Sequence, residues 1–429
     1  MVSNSVIKNT FLFLVLITLS CGNSVLKTDE IAKSKVEPKT ADVPNAGILT
    51  GAENHKAYIP MLLDKKVGIV TNQTGILRTA GHTGNVKNDK GEIVGEFEGA
   101  DRTVSVVDFL LENKINVTKI FAPEHGFRGT ADAGEHVVDG KDKKTGLSII
   151  SLYGDNKKPK ADQIKGIDVM VFDLQDVGAR FYTYISSLHY VMEACAENNI
   201  PLIILDRPNP NRDIVDGPVL ENEFKSFVGM HPIPVLHGMT IGEYGKMING
   251  EKWLKDGVRC NLSIIPCLNY KKHMPYNVLV KPSPNLPNSK AINLYASLCF
   301  FEGTNVSVGR GTNKQFQVYG SPFLPKGNFN FTPMPNEGAK EPPYKGQTCY
   351  GEDLSSSPDV NKLELKWLLK AYNETADKSK FFIPFFTKLA GTKALQQQIE
   401  SGKSEAEIRR SWEKALADFQ KIRKLYELY

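Results

Sequence analysis

The chain has 429 residues, 41% of them hydrophobic, which is enough apolar material for a large core and for more than one domain. Its 53 basic against 48 acidic side chains leave a formal charge of +5, too small an excess to imply a nucleic-acid partner.

At the amino terminus, Lys8 precedes an apolar run from Phe11 to Ile17 and then Thr18-Leu19-Ser20-Cys21-Gly22. Residues 1–20 read as a signal peptide, since so short an apolar run cannot span a bilayer stably. Cys21 stands where a lipoprotein signal peptidase leaves a cysteine for acylation, so a membrane anchor through lipid on Cys21 is expected, with simple secretion as the alternative. Residues 21–45, rich in Lys, Ser, Asp, Glu and Pro, then form a flexible tether. This predicts a mature protein held in the cell envelope, facing the periplasm.

Val- and Ile-rich runs follow at Val67–Thr71, Lys119–Ala122, Leu147–Leu152, Asp168–Asp173, Pro201–Asp206 and Leu262–Pro266. Such runs are strands buried on both faces. Between two of them, Thr183–Asn199 carries Ile185, Leu188, Met192 and Cys195 at helical spacing. Strand, helix, strand at this spacing predicts an α/β fold with a parallel sheet and helices on both faces. The turn-rich Pro282-Ser283-Pro284-Asn285-Leu286-Pro287 marks a boundary between a domain of residues 46–281 and one of residues 282–429. In the latter, a terminal helix from Ser404 lines up Ile408, Trp412, Leu416, Phe419 and Ile422 for core packing.

Cys195, Cys260, Cys267, Cys299 and Cys349 lack the paired spacing of a zinc site and read as buried apolar residues, with one disulfide left open. No Gly-x-Gly-x-x-Gly, phosphate loop or Gly-x-Ser-x-Gly is present, so no nucleotide cofactor and no ordinary serine-hydrolase elbow is expected.

Polar clusters fall just after the apolar runs: Asn72-Gln73, Glu124-His125, Asp173 to Arg180, and Asp206-Arg207-Pro208-Asn209. In open parallel sheets, ligands bind at the carboxyl ends of the strands, so these segments converge on one pocket. In Phe121-Ala122-Pro123-Glu124-His125-Gly126-Phe127-Arg128-Gly129, aromatic rings would wall a carboxyl group from water and favour its proton-donating form. Alternatively, Glu124 pairs with Arg128 and closes a loop. His125 is a base, a metal ligand or scaffolding. Asp173 and Asp176 are acid/base partners, metal ligands or sugar ligands; the plainer alternative has one capping the next helix and the other neutralising Arg180. Tyr153, Tyr182 and Tyr184 are candidates for stacking on a sugar ring.

Val67 to Gly75, Pro123 to Gly129, Ala133-Gly134-Glu135, Leu152-Tyr153-Gly154, Asp173 to Tyr184, Asp206 to Asn209 and Glu302-Gly303-Thr304-Asn305, in that order, resemble the exo-β-N-acetylmuramidase family typified by NamZ. The resemblance spans residues 46–429. It implies a Rossmann-like domain, a smaller carboxy-terminal α/β domain, and a cleft between them that binds peptidoglycan-derived muramyl glycans and releases terminal N-acetylmuramic acid. It puts the catalytic acid on Glu124, with Asp173 or Asp176 as a second carboxylate unless the substrate's own acetamido group attacks. Asn72, His125, Gln175, Tyr182, Asp206, Asn209, Glu302 and Asn305 would bind substrate. Arg128, Arg180 and Arg310 are candidate readers of the lactyl carboxylate. Val308 departs from the family pattern, where many relatives carry an acidic residue. A muropeptide-binding lipoprotein without catalysis and a metal-dependent esterase or deacetylase of wall sugars are the competing readings.

Overall fold

Six of the apolar runs pair side by side. The computed structural model describes residues 47–79, 83–87, 93–98, 101–128 and 139–429, the segments 83–87 and 93–98 as backbone. The signal peptide, Cys21 and its tether, Gly129 and the Ala133-Gly134-Glu135 motif lie outside the described residues. The central sheet contains β1 (Lys66–Thr71), β2 (Asn116–Ala122), β3 (Gly140–Lys141), β4 (Ser148–Ser151), β5 (Val169–Asp173), β6 (Leu202–Leu205) and β7 (Leu262–Ile265). Their spatial order is β7-β6-β5-β1-β2-β4-β3, parallel throughout except for the short β3.

Alternation along each strand sends neighbours to opposite faces. Val67, Ile69, Ile120, Val171 and Ile203 pack with Tyr58 and Leu62 of α1 (His55–Leu62) and with Val106 and Leu110 of α2 (Val106–Glu112). Their neighbours Val70, Phe121, Phe172 and Ile204 pack on the other side with Leu188 and Met192 of α3 (Tyr184–Glu197) and Met247 of α4 (Ile241–Gly250). Both faces are thus covered, which is why β5 and β6 are buried at every position. Two N-caps fix where helices start. Ser105 Oγ accepts from Val107 N at 3.2 Å, and Thr240 and Glu243 form a reciprocal capping box on α4.

The core on the α3 face continues into the carboxy-terminal part, taking in Leu294 of α5 (Ser289–Leu298), Phe316 and Leu389 of α6 (Phe385–Ala390). The described residues from 47 onward form one compact unit. A three-stranded antiparallel sheet, β8 (Val318–Ser321), β9 (Asn330–Phe331) and β10 (Cys349–Asp353), has β10 at its centre. The expected single terminal helix is two pieces, α7 (Glu405–Arg410) and α8 (Glu413–Arg423), because the chain tightens at Ser411-Trp412, where Trp412 N bonds Arg409 O at 3.0 Å. Ile408, Trp412 and Phe419 are buried as the stripe requires, but beyond the break it drifts outward and Ile422 is exposed. Cys195, Cys260, Cys267, Cys299 and Cys349 are all buried free thiols.

Candidate active site

Strand register brings the first two site residues together. In the parallel pair β2 and β4, Ala122 lies opposite Ser151. Glu124 and Tyr153 each stand two residues past these partners, and Tyr153 Oη donates to Glu124 Oε1 at 2.9 Å. The chain leaves β1 towards β2 and β4 on one side, then returns to β5 on the other, so the order reverses at β1/β5. After β5, Thr183 stands at the N-cap of α3, yet its hydroxyl makes no cap bond. It donates to Glu124 Oε2 at 2.7 Å instead. Both carboxyl oxygens are therefore held by hydroxyls whose protons can turn either way, an arrangement that suits a carboxylate and a protonated acid alike.

The turn carrying Glu124 is strained. His125 and Gly126 have φ of 72° and 73°, a left-handed pair that Gly adopts freely and His at a cost of about 1–2 kcal/mol. The strain aims Glu124 into a cleft of about 380 Å³, where Glu124, His125, Tyr153, Tyr182, Thr183 and Tyr184 meet Tyr295, Glu302, Arg310 and Phe385 of the carboxy-terminal part. Phe181, Tyr182 and Tyr295 pack edge to face around the wall. Tyr182 and Tyr184 both donate to Pro282 O, at 2.8 and 3.2 Å, which ties the turn-rich junction to the rim.

Arg310 and Glu302 form an ion pair in the cleft wall, and the guanidinium lies 5.2 Å over the Phe316 ring. Of the three arginines expected to read a carboxylate, Arg310 is the one that lines the cleft. Arg128 is mostly exposed and pairs with Asp142 at 2.5 Å, so it is not the partner of Glu124. Arg180 is wholly buried, and its terminal nitrogens donate at 2.7–2.8 Å to the carbonyls of Pro218, Ile233, Leu389 and Ala390. Burial pulls its pKa down to about 9, and its role is to tie α6 to the sheet domain. No carboxylate neutralises it among the described residues, contrary to the plainer expectation for Asp173 or Asp176.

The other strand-end residues support the site from behind. Asp173 is wholly buried in a two-pronged ion pair with Arg207, at 2.6 and 2.9 Å. Asp176 Oδ2 accepts from Gly178 N at 2.7 Å and lies 3.7 Å from His237 Nε2. Neither aspartate lines the cleft, so neither is placed as the second catalytic carboxylate. Asn72 Nδ2 donates to Tyr184 Oη at 2.6 Å, and Gln175 Nε2 ties the carbonyls of Asp176 and Pro208. Asp206 anchors α4 by accepting from Thr240 Oγ1, Gly242 N and Tyr429 Oη at 2.8 Å each. Asn209 packs on Gly178, whose φ of 74° and missing Cβ allow the approach. Asn305 borders a separate cavity beside Phe323 and Lys380. Among the described residues no cluster of three or more His, Cys, Asp or Glu is placed to hold a metal ion.

Thr183, Phe181, Tyr295, Phe316 and Phe385 complete the cleft without having been singled out in the sequence. A hydroxyl at a helix start and aromatic residues in turns or on later helices carry no local sign of facing a ligand.

Comparison with known proteins agrees along nearly the whole described chain. The description "Exo-beta-N-acetylmuramidase NamZ, N-terminal" matches residues 67–290 and its C-terminal counterpart residues 293–429. The chain is 36% identical over 403 residues to the peptidoglycan β-N-acetylmuramidase NamZ of Bacillus subtilis, covering 87% of this chain and 89% of that one. It is also similar to two crystal structures of DUF1343 family proteins from Bacteroides fragilis. One has a TM-score of 0.78 at 43% identity, covering 90% of this chain and 99% of the other; the second has 0.68 at 27%, covering 89% and 99%.

Proposed function

Because the chain belongs to the exo-β-N-acetylmuramidase NamZ family, we propose that it releases terminal N-acetylmuramic acid from the non-reducing end of peptidoglycan fragments, with Glu124 as general acid. The observation that carries this reading is a carboxyl group fixed by Tyr153 and Thr183 inside an aromatic-walled cleft. Apolar sugar faces stack on Tyr182 and Tyr295, while Arg310 meets the acidic lactyl arm that distinguishes muramic acid from glucosamine. Glu124 protonates the glycosidic oxygen as the bond breaks. Glu302, the other carboxylate lining the cleft among the described residues, is the candidate for orienting the attacking group.

The proposal keeps the division expected from sequence, with Glu124 and its hydroxyl partners contributed by residues 46–281 and Arg310 and Phe385 by residues 282–429. Lipid on Cys21, with residues 21–45 as tether, would hold the enzyme at an envelope membrane on the periplasmic side, near wall fragments.

The purified protein is expected to hydrolyse an aryl β-N-acetylmuramide and to leave the matching glucosaminide intact. Glu124→Gln should lower kcat by about 10²–10⁴-fold while leaving affinity for muramic acid within about threefold. Binding without turnover in the wild type would overturn the reading in favour of a glycan-binding lipoprotein.

A further inference from the structure

The carboxy terminus ends against an edge of the central sheet. β7 is the last strand on that side, and beyond α8 the chain runs beside it. Leu425, Tyr426 and Leu428 line a groove of about 430 Å³ there, with Leu262 and Ile264 of β7 and Lys246 of α4. Leu425 is 71% exposed and Leu428 37%. Leu268, 39% exposed, follows Cys267, whose amide donates to Tyr429 Oη at 2.8 Å. Exposed leucines gathered on one face mark a contact surface, whereas single ones need no explanation.

Cations flank these leucines. Lys246, Arg259 and Lys424 make no ion pair among the described residues, and Arg259 is near enough to Tyr426 for its charge to act on that hydroxyl. The neighbouring carboxylates are engaged: Glu251 accepts from Tyr426 Oη at 2.6 Å, and Glu427 pairs with Lys272 at 2.8 Å and Arg423 at 3.2 Å. The chain also enters the body at this place. Ile48 packs with Cys267, Tyr270 and Tyr276 beside Tyr429, and Leu49 exchanges backbone bonds of 3.0 and 2.8 Å with Leu268. Residues 21–45 therefore join the body next to the exposed leucines.

We propose that this face docks on an anionic bilayer surface, its leucines entering the headgroup boundary and its cations meeting lipid phosphates. Apolar burial and attraction to anionic lipid add at such a surface. A second copy of the chain fits less well, since a symmetric contact sets the same cations against one another. The bearing of the tether on this proposal rests on the lipid anchor proposed above; the leucines and cations stand without it.

Residues 46–429, the compact body without Cys21, test the docking by co-sedimentation with vesicles of phosphatidylcholine alone and of equal parts phosphatidylcholine and phosphatidylglycerol. The body is expected to bind the anionic vesicles about tenfold more strongly or better, and to release them as salt rises. Leu425→Glu, and Arg259→Glu with Lys424→Glu, change exposed positions and should each weaken binding by about tenfold or more at unchanged thermal melting. Lys141→Glu with Lys143→Glu, the same charge change at the opposite edge of the sheet, should weaken it by less than about twofold. No preference for anionic vesicles, or an equal loss from the Lys141 and Lys143 pair, overturns the proposal. So does a dimer in sedimentation velocity that Leu425→Glu dissolves, which would give the face to a second copy. Labelling of the full-length protein with a palmitate analogue decides the anchor separately.

Discussion

Asp176 shows how a residue can look catalytic in sequence and act structurally. Its Oδ2 accepts the Gly178 amide, its Oδ1 has no hydrogen-bond partner, and burial pushes its pKa up to about 7. Asp206, better served by four donors, is pushed to about 6 by the same cause. A carboxyl group raised above its unfolded value near 4 favours the fold while protonated. Its contribution is full below about pH 4 and is lost as pH rises through the folded value. Asn is a neutral replacement, so Asp176→Asn is expected to lose less stability than wild type between pH 5 and pH 8, by on the order of 1 kcal/mol. Thermal melts at the two pH values measure the difference, and parallel losses would contradict it. The place of Glu124 in the cleft was legible because its motif and strand-end position pointed the same way. Asp173, Asp176 and Asp206 shared that position, but whether a strand-end side chain rises into the crevice or turns into the sheet's edge depends on partners such as Arg207 and Thr240, which are distant in sequence.

At the scale of elements, all six buried runs became strands and Thr183–Asn199 became α3, because alternation and helical spacing are local. The strand order and the break at Ser411-Trp412 are not local, and neither has a sequence signature here. Nor does the contact that fixes the cleft wall: Arg180, from the loop after β5, bonds the last two carbonyls of α6. Those carbonyls are the negative end of the helix, so a cation there is favoured. Phe385 and Leu389 of α6 line the cleft. Arg180→Met would leave the buried carbonyls of Pro218, Leu389 and Ala390 without a donor, Ile233 O keeping the Leu220 amide, and should cost several kcal/mol, on the order of 3. Urea unfolding measures that loss. A drop in kcat/KM beyond that of an equally destabilised variant with an intact cleft would show that the wall itself has shifted.

For the whole molecule, family resemblance and physical pattern divide the work. Parallel strands and helical spacing predict the α/β class, while the aromatic lining from residues 295–385 emerges only when the carboxy-terminal part folds against the sheet. The proposed attachment to a membrane belongs to the same scale and would rest on Cys21; none of the described helices is long and apolar enough to cross a bilayer. Expressed in a bacterium with a clickable palmitate analogue, the full-length protein is expected to take up label and Cys21→Ser to lose it, read by in-gel fluorescence; label retained by the variant would rule out that anchor. The five described cysteines bear on where such a protein is able to mature. All are buried, and burial raises each thiol's pKa, to about 12 for Cys260 and Cys349, so they stay as unreactive thiols. The catalytic body waits on no oxidant or disulfide isomerase. It is equipped to reach its native state in a reducing cytosol as readily as in an oxidising compartment, which makes expression of residues 46–429 in a reducing cytosol a sound route to the enzyme.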